Sequence, residues 1–162
     1  MSGSPPIAMI DVTEALITIL DAATSDRVKV IQANRWGDAP TTTDRYDGVI
    51  AVDFASGIRE ATYPRGTINF TASCYGIEGY DLEGYVSMDI ARTLENAAYQ
   101  FNTGRVRGPR QVGDFYCQQI TMGLPNGPRT EPDSTRYVTL VTGILKVALR
   151  PVSHYTGGAI IN

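Results

Sequence analysis

The longest strand-like run in the chain, Ser134 to Arg150, constrains the fold more than any other segment. One phase carries Tyr137, Thr139, Val141, Gly143, Leu145, Val147 and Leu149, and the other Val138, Leu140, Thr142, Ile144, Lys146, Ala148 and Arg150. Side chains alternate between faces along a strand, so apolar residues in both phases predict a central strand covered on both faces for much of its length. Pro151 cannot donate to a ladder and ends the run. Such a strand needs partners on both sides.

The rest of the chain supplies them. Arg27–Gln32 alternates polar and apolar residues, as a half-buried strand does. Gly48–Phe54 is a second strand rich in β-branched residues; Ser56-Gly57 signals a turn, after which Ile58–Tyr63 is expected to pair back. Thr67–Tyr75 sets Ile68, Phe70, Ala72 and Cys74 on one face and Thr67, Asn69, Thr71 and Ser73 on the other. Gln111–Gly123 reads as a long or bent strand with a bulge at Gly113, and Leu124–Pro132 as a polar loop.

Two segments have helical spacing. Asp11 to about Ala23 places Val12, Ala15, Leu16, Ile19 and Leu20 on one face, with Asp11 and Glu14 in a capping-box pattern. Asp81 to about Phe101 carries Val86, Ile90, Leu94, Ala97 or Ala98, and Phe101; Asp81 is the expected cap and Gly104 the expected stop. The order α–β–β–(β)–β–α–β–β leaves little room for parallel crossovers. It predicts a single α+β domain over 9–151, a mostly antiparallel sheet with two helices packed on it. Residues 1–8 read as a flexible arm and 152–162 as a tail ending near Ala159-Ile160-Ile161.

The composition narrows the function classes. At 162 residues and 43% hydrophobic, the chain can bury a core without disulfide or metal staples. A net charge of −3 argues against a dedicated nucleic-acid binder with a basic surface, although not against DNA passing nearby. No apolar run approaches the roughly 20 residues that span a bilayer, and Met1–Pro6 has no signal-peptide pattern. Cys74 and Cys117 are expected as buried thiols of a reducing compartment; a disulfide requires their strands to be neighbours.

Catalytic constellations are weak. His154 lies beyond the last strand, a poor place for a base that packed neighbours must hold. Asp38, Asp44, Asp47 and Asp53 lie in and around the 34–47 loop, where aspartate usually serves turns. The glycines near Arg105-Val106-Arg107-Gly108-Pro109-Arg110 lack the lysine of a phosphate loop. The expectation is no enzyme activity, no cofactor and no metal. Arginine suits contacts with its planar fork, and exposed loop aromatics often anchor partners. On those grounds the candidate assembly-interface residues are Arg35, Trp36, Asp44, Arg45, Tyr46, Arg59, Arg65, Arg105, Arg107, Arg110, Arg129, Glu131 and Arg136, in loops 34–47, 58–66, 104–112 and 124–136. Trp36 and Tyr46 either reach a partner or fold back onto the core.

One ending is distinctive: Pro128-Arg129-Thr130-Glu131-Pro132-Asp133-Ser134-Thr135-Arg136-Tyr137 leads from a Gly-Pro into the long alternating strand. Before it come the short helix, the strand Val28–Ile31, a variable loop, Val49–Phe54, Ile68–Tyr75, a helix headed by Asp81-Leu82-Glu83-Gly84-Tyr85, the polar loop Gly104–Pro109, and a strand with Tyr116 and Ile120. Over about residues 9–151 this order resembles the tail terminator (tail completion) proteins of long-tailed bacteriophages. The resemblance implies a subunit of a hexameric ring on the last ring of the tail tube, which stops tube growth and offers a surface to the head connector. It implies the tail tube protein and a head-completion or connector protein as partners. Genome DNA would pass through the lumen without sequence-specific binding, and the protein would reside in the virion neck after assembly in the host cytoplasm, with no membrane. Other readings stay open: another neck protein, such as a head-completion or minor tail component, a small enzyme using the Asp38–Asp53 carboxylates, or an unrelated binding module.

Overall fold

The computed structural model describes residues 9–59, 65–104, 111–112, 115–132 and 136–149. Two helices, α1 (Met9–Ala23) and α2 (Tyr85–Asn102), pack on one face of a mixed, mostly antiparallel sheet. The sheet is built from β1 (Val28–Gln32), β2 (Gly48–Arg59), β3 (Arg65–Gly76), β4 (Gln111–Val112), β5 (Phe115–Met122), β6 (Asn126–Thr130) and β7 (Tyr137–Leu149). Its spatial order is β1-β2-β3-β7-β5-β4, with β6 also paired to β7. The α+β class expected from the segment order is the one observed. Among the described residues no helix is long and apolar enough to cross a membrane.

β7 is central, between β3 on one side and β5 with β6 on the other. Its odd phase faces the helices: Val141, Leu145 and Val147 are buried, and Phe70 covers Gly143 from the neighbouring strand. The other phase differs from expectation. Thr142, Ile144 and Lys146 are exposed, and β7 is covered on both faces at its start, around Val138 to Leu140.

The core between sheet and helices is continuous. Leu16, Ile19 and Leu20 of α1 meet Ile90, Leu94 and Phe101 of α2 and the apolar phase of β3, Ile68, Phe70, Ala72 and Cys74. Fully burying a side chain of this size contributes roughly 1.5–3 kcal/mol, which is why the helical stripes dictate the packing.

Helix α2 starts through a device that the sequence half revealed. Asp81 is its cap, but from outside the usual position: its carboxylate accepts from the backbone N–H of Val86 at 2.8 Å and of Ser87 at 3.1 Å. A 3-10 turn, Leu82–Gly84, lies between, with Glu83 and Gly84 both in the left-handed region at φ 60° and 82°. At Gly84 any Cβ would run into Pro128 of β6, so glycine is needed for space as well as for backbone conformation. Gly104 ends the helix at φ 74°, as expected.

Four boundaries move. Helix α1 begins at Met9, so Asp11 lies inside its first turn and does not cap it. Strand β2 does not turn at Ser56-Gly57; a bulge between Phe54 and Ser56 lets it continue to Arg59, paired with β3 throughout. The bulge in β5 falls between Cys117 and Gln119; Gly113 lies outside the described residues. The expected loop 124–132 contains β6, which is exposed along one edge of β7 and therefore carries no hydrophobic alternation to read. The 1–8 arm and the 152–162 tail lie outside the described residues.

Candidate functional site

The 34–47 segment is long because β1 and β2 are parallel. Joining parallel neighbours requires a crossover of a dozen or more residues, usually a helix. Here the crossover has only a 3-10 turn, Trp36–Asp38, and lies over the sheet face opposite the helices. Under it sits a second, smaller core of Ile31, Val49, Ala51, Tyr75 and Val138, with Ala39 from the crossover itself.

Trp36 folds back onto this core. Its ring meets Tyr75 edge to face, with centroids 4.9 Å apart and planes at 77°. The Arg136 guanidinium lies 5.0 Å from the Trp36 ring centre and 5.2 Å from that of Tyr75. Glu131 hydrogen-bonds the Tyr75 hydroxyl, and burial, followed by this carboxylate, pushes the phenol above its ordinary pKa. Three candidate residues from two distant segments, Trp36 in one and Glu131 and Arg136 in the other, thus converge on Tyr75. Trp36 remains 37% exposed, so one edge of the cluster reaches the surface.

A second cluster holds the far end of the crossover. Arg27 makes a bidentate pair with Asp47 at 2.8–3.0 Å, and its Nη2 also donates to the Thr43 carbonyl at 3.2 Å. The pair raises the Arg27 pKa and lowers that of Asp47, in both cases first through the hydrogen bond. Tyr46 is flanked by Lys29 at 5.8 Å and Arg45 at 5.3 Å from its ring centre. The Thr42 hydroxyl reaches Asp44 at 3.5 Å. Of the residues that fasten the crossover, Arg27, Lys29 and Tyr75 were not among the sequence candidates, and Asp47 was weighed only as a catalytic carboxylate. The signal for the Arg27–Asp47 pair is their position, each directly before one of two strands that lie in parallel.

Other candidates scatter. Arg35, Arg45 and Arg129 are exposed. Arg59 and Arg65 belong to paired strands β2 and β3, a correction to the 58–66 loop, because the ladder shifts register at the β2 bulge and then resumes as far as Arg59 opposite Gly66. Arg105, Arg107 and Arg110 lie outside the described residues, as does His154.

Beside the Tyr75 cluster is an open groove of about 480 Å³ lined by Glu78, Asp81, Glu83, Arg136 and Tyr137, among others. Both oxygens of Asp81 are committed to capping α2. Of the loop carboxylates weighed for catalysis, Asp47 is held by Arg27 and Asp53 is exposed on β2. Among the described residues no group of three His, Cys, Asp or Glu side chains could hold a metal.

The two cysteines are both buried, and neither is in a disulfide. Their strands are not neighbours, since β7 lies between β3 and β5. Cys74 is opposite Thr139 and Cys117 opposite Val147, at the two ends of β7. The geometry excludes a disulfide within the chain. No protein-family model matches the chain, and no curated protein matches it.

Proposed function

We propose that the chain is a structural subunit of a tailed-phage neck, a tail terminator that caps the tail tube as a ring and presents the surface for the head connector. The observation that carries this reading is the role of the ending that underlies the resemblance. Gly127-Pro128 sits in β6 against Gly84, at the head of α2. Arg136 and Glu131 tie the same segment to Tyr75 and to the crossover. The Gly-Pro to Arg-Tyr stretch therefore locks helix α2, β7 and the crossover into one surface. Such a surface suits a capping subunit, because loops already held in place lose less freedom on docking to a tube end. The reading needs no cofactor and no catalytic group.

The mechanism is geometric. A tube end recruits the next ring through unsatisfied edges. A subunit that matches them on one face and lacks a matching face above stops growth and leaves a new surface for the connector. Two different patches on each subunit allow a head-to-tail contact that closes into a ring when the rotation permits. The test is the mass of the purified protein, alone and with purified tail tubes, by light scattering and negative-stain imaging. Rings on one end of each tube are the expected result; a chain that leaves tube ends bare overturns the reading.

A further inference from the structure

The crossover covers more than it buries of itself. Beneath it Ile31, Val49, Ala51, Tyr75 and Val138 are all buried, Ala51 to 3% exposure. Yet no residue of 33–47 is itself buried. Ala33 and Ala39 pack against this second core, and Trp36 sets its ring against Tyr75. Two methyl groups and one ring are a small apolar contribution from a segment of this length. Ordering a chain costs conformational entropy at every residue, and apolar burial is what usually offsets it.

The fastenings are equally sparse. Backbone hydrogen bonds to the strands lie at the two ends. The Ala33 N–H donates to the Val52 carbonyl and the Arg35 N–H to the Gln32 carbonyl, both at 2.9 Å, and the Asp47 N–H to the Arg27 carbonyl at 2.6 Å. Between these ends, the Asp38 and Ala39 N–H groups donate within the 3-10 turn, to the Arg35 and Trp36 carbonyls. The Arg27–Asp47 pair is about half exposed on each side, where an ion pair contributes little. The strands beneath are secured independently. Val28, Val30, Ile50 and Val52 belong to the main core with both helices, and β2 pairs with β3 along its length. Segments with few buried apolar contacts and exposed hydrogen bonds open at low free energy while the rest of a molecule stays folded.

We infer that the crossover is a strap that opens as a unit, hinged at its two ends, and bares the second core while the sheet and helices stay folded. Closed, it covers an apolar part of the sheet. Open, it presents Ile31 opposite Ala51 and Val49 opposite Tyr75, side by side on three adjacent strands. The closed form is the major one and is the ordered surface of the reading above. The opening itself does not depend on that reading.

Thiol labelling of the full chain tests this, with native Cys74, 0% exposed in the main core, as the internal reference. Ala51→Cys places a thiol beneath the strap, and Val49→Cys reads the same face should the first variant not fold. With a disulfide reagent and no denaturant, the new thiol is expected to react at least about tenfold faster than Cys74, and at least about tenfold slower than in the denatured chain. Its rate should rise weakly with urea, and that of Cys74 steeply, because strap opening exposes less surface than global unfolding. Adding Trp36→Ala should raise the rate at position 51 roughly five- to thirtyfold. Adding Gly143→Ala, which crowds Phe70 in the main core, should raise the rate of Cys74 and leave position 51 unchanged. Circular dichroism confirms that each variant is folded. A thiol at 51 that follows Cys74 in urea and in the Gly143→Ala variant is reached only by global unfolding, which overturns the strap. A thiol at 51 that reacts as fast as in the denatured chain lies on a face that is never covered, and this overturns it as well.

Discussion

Asn102, the last residue of α2, acts as a one-residue strand against Ile120 of β5. Its Nδ2 donates to the Ile120 carbonyl at 2.8 Å, and its Oδ1 accepts from the Ile120 N–H at 3.0 Å. These two backbone groups point away from β7 and would otherwise be open on the sheet edge. Unpaired edges invite pairing with other chains, and covering them is a general protective device. Asn102→Ala removes both partners and is expected to destabilise the protein by about 1–3 kcal/mol. Asn102→Asp keeps the acceptor for the N–H and loses the donor, so it should fall between. Hydrogen exchange reads this directly. The Ile120 amide should lose protection in Asn102→Ala relative to its neighbours on β7, and unchanged protection would show that the clamp contributes nothing.

Gly143 and Phe70 make a second prediction. They are opposite each other on β7 and β3, and a Cβ built on Gly143 would lie inside the Phe70 ring, 2.7 Å from Cε1 and 2.9 Å from Cε2. Phe70 is 1% exposed, so its ring can shift only by displacing packed neighbours. Gly143→Ala should therefore cost about 1–3 kcal/mol by overpacking, although alanine suits a strand better than glycine does. Chemical denaturation measures the loss. Adding Phe70→Leu to Gly143→Ala should recover part of it, whereas an additive double variant would place the cost elsewhere.

The buried polar pair between α2 and β7 gives a graded outcome. Ser87 and Thr139 are both 0% exposed, and their hydroxyls are 3.2 Å apart. Ser87 Oγ donates to the Gly84 carbonyl at 2.8 Å, so the Thr139 hydroxyl is the donor between the two. Thr139→Val removes that donor and leaves Ser87 with its backbone bond, for a cost of about 1 kcal/mol. Ser87→Ala strands the Thr139 hydroxyl in the core and should cost more. Equal losses in thermal unfolding would contradict this donor assignment.

The parts of this molecule that were legible in the sequence are those with a period. Ile68, Phe70, Ala72 and Cys74 alternate and are buried; Ile90, Leu94 and Phe101 keep a helical stripe and are buried. Local patterns record which side of an element meets the core, and they worked wherever burial was one-sided. Strand β6 has no such record, because pairing with β7 buries none of its side chains. The β2 bulge was misread for a related reason: Ser56-Gly57 has the text of a turn, and only pairing with Asn69 and Ile68 across the ladder makes it a strand. The Tyr75 cluster was legible as residue types and not as a place. Trp36, Glu131 and Arg136 were all candidates, yet their meeting point is set by sheet order, which brings the start of β7 beside the end of β3. The parallel β1–β2 pair was the decisive hidden fact. It makes the 34–47 loop a crossover over the sheet, and it explains why Trp36 lies against Tyr75.

Burial also sets a pH limit. The Cys74 thiol is pushed up to about 12 by burial, and Tyr75 is raised as well. For both groups the folded pKa exceeds the unfolded one. Their contribution to stability is therefore complete below the unfolded thiol and phenol pKa values and is lost as pH rises toward the folded ones. Denaturant midpoints should be flat from pH 7 to about 8 and fall progressively above about pH 9. The same burial makes the thiols unreactive: at pH 8 a disulfide reagent should modify neither Cys74 nor Cys117 in the native protein and both in denaturant. Rapid native labelling of Cys74 would show that the strand opens or that the thiol is not buried.

Stability and assembly should separate within the crossover and the β6 segment. Trp36 is a packing residue, bound edge-on to Tyr75 and faced by Arg136. Trp36→Ala should lower stability by about 1–2 kcal/mol through lost ring and cation contacts, and any assembly defect would follow from that loss. Arg35 and Arg129 are exposed. Arg35→Glu and Arg129→Glu should leave stability within about 0.5 kcal/mol of the parent. If these loops meet the tube or the connector, the two reversals should still reduce tube capping and head joining, in step with rising salt sensitivity. Capping assayed by negative stain, alongside denaturation of the same variants, tests both halves together. Reversed arginines that cap tubes as well as the parent would remove these loops from the interface, and a folded Trp36→Ala variant that alone loses capping would return Trp36 to it.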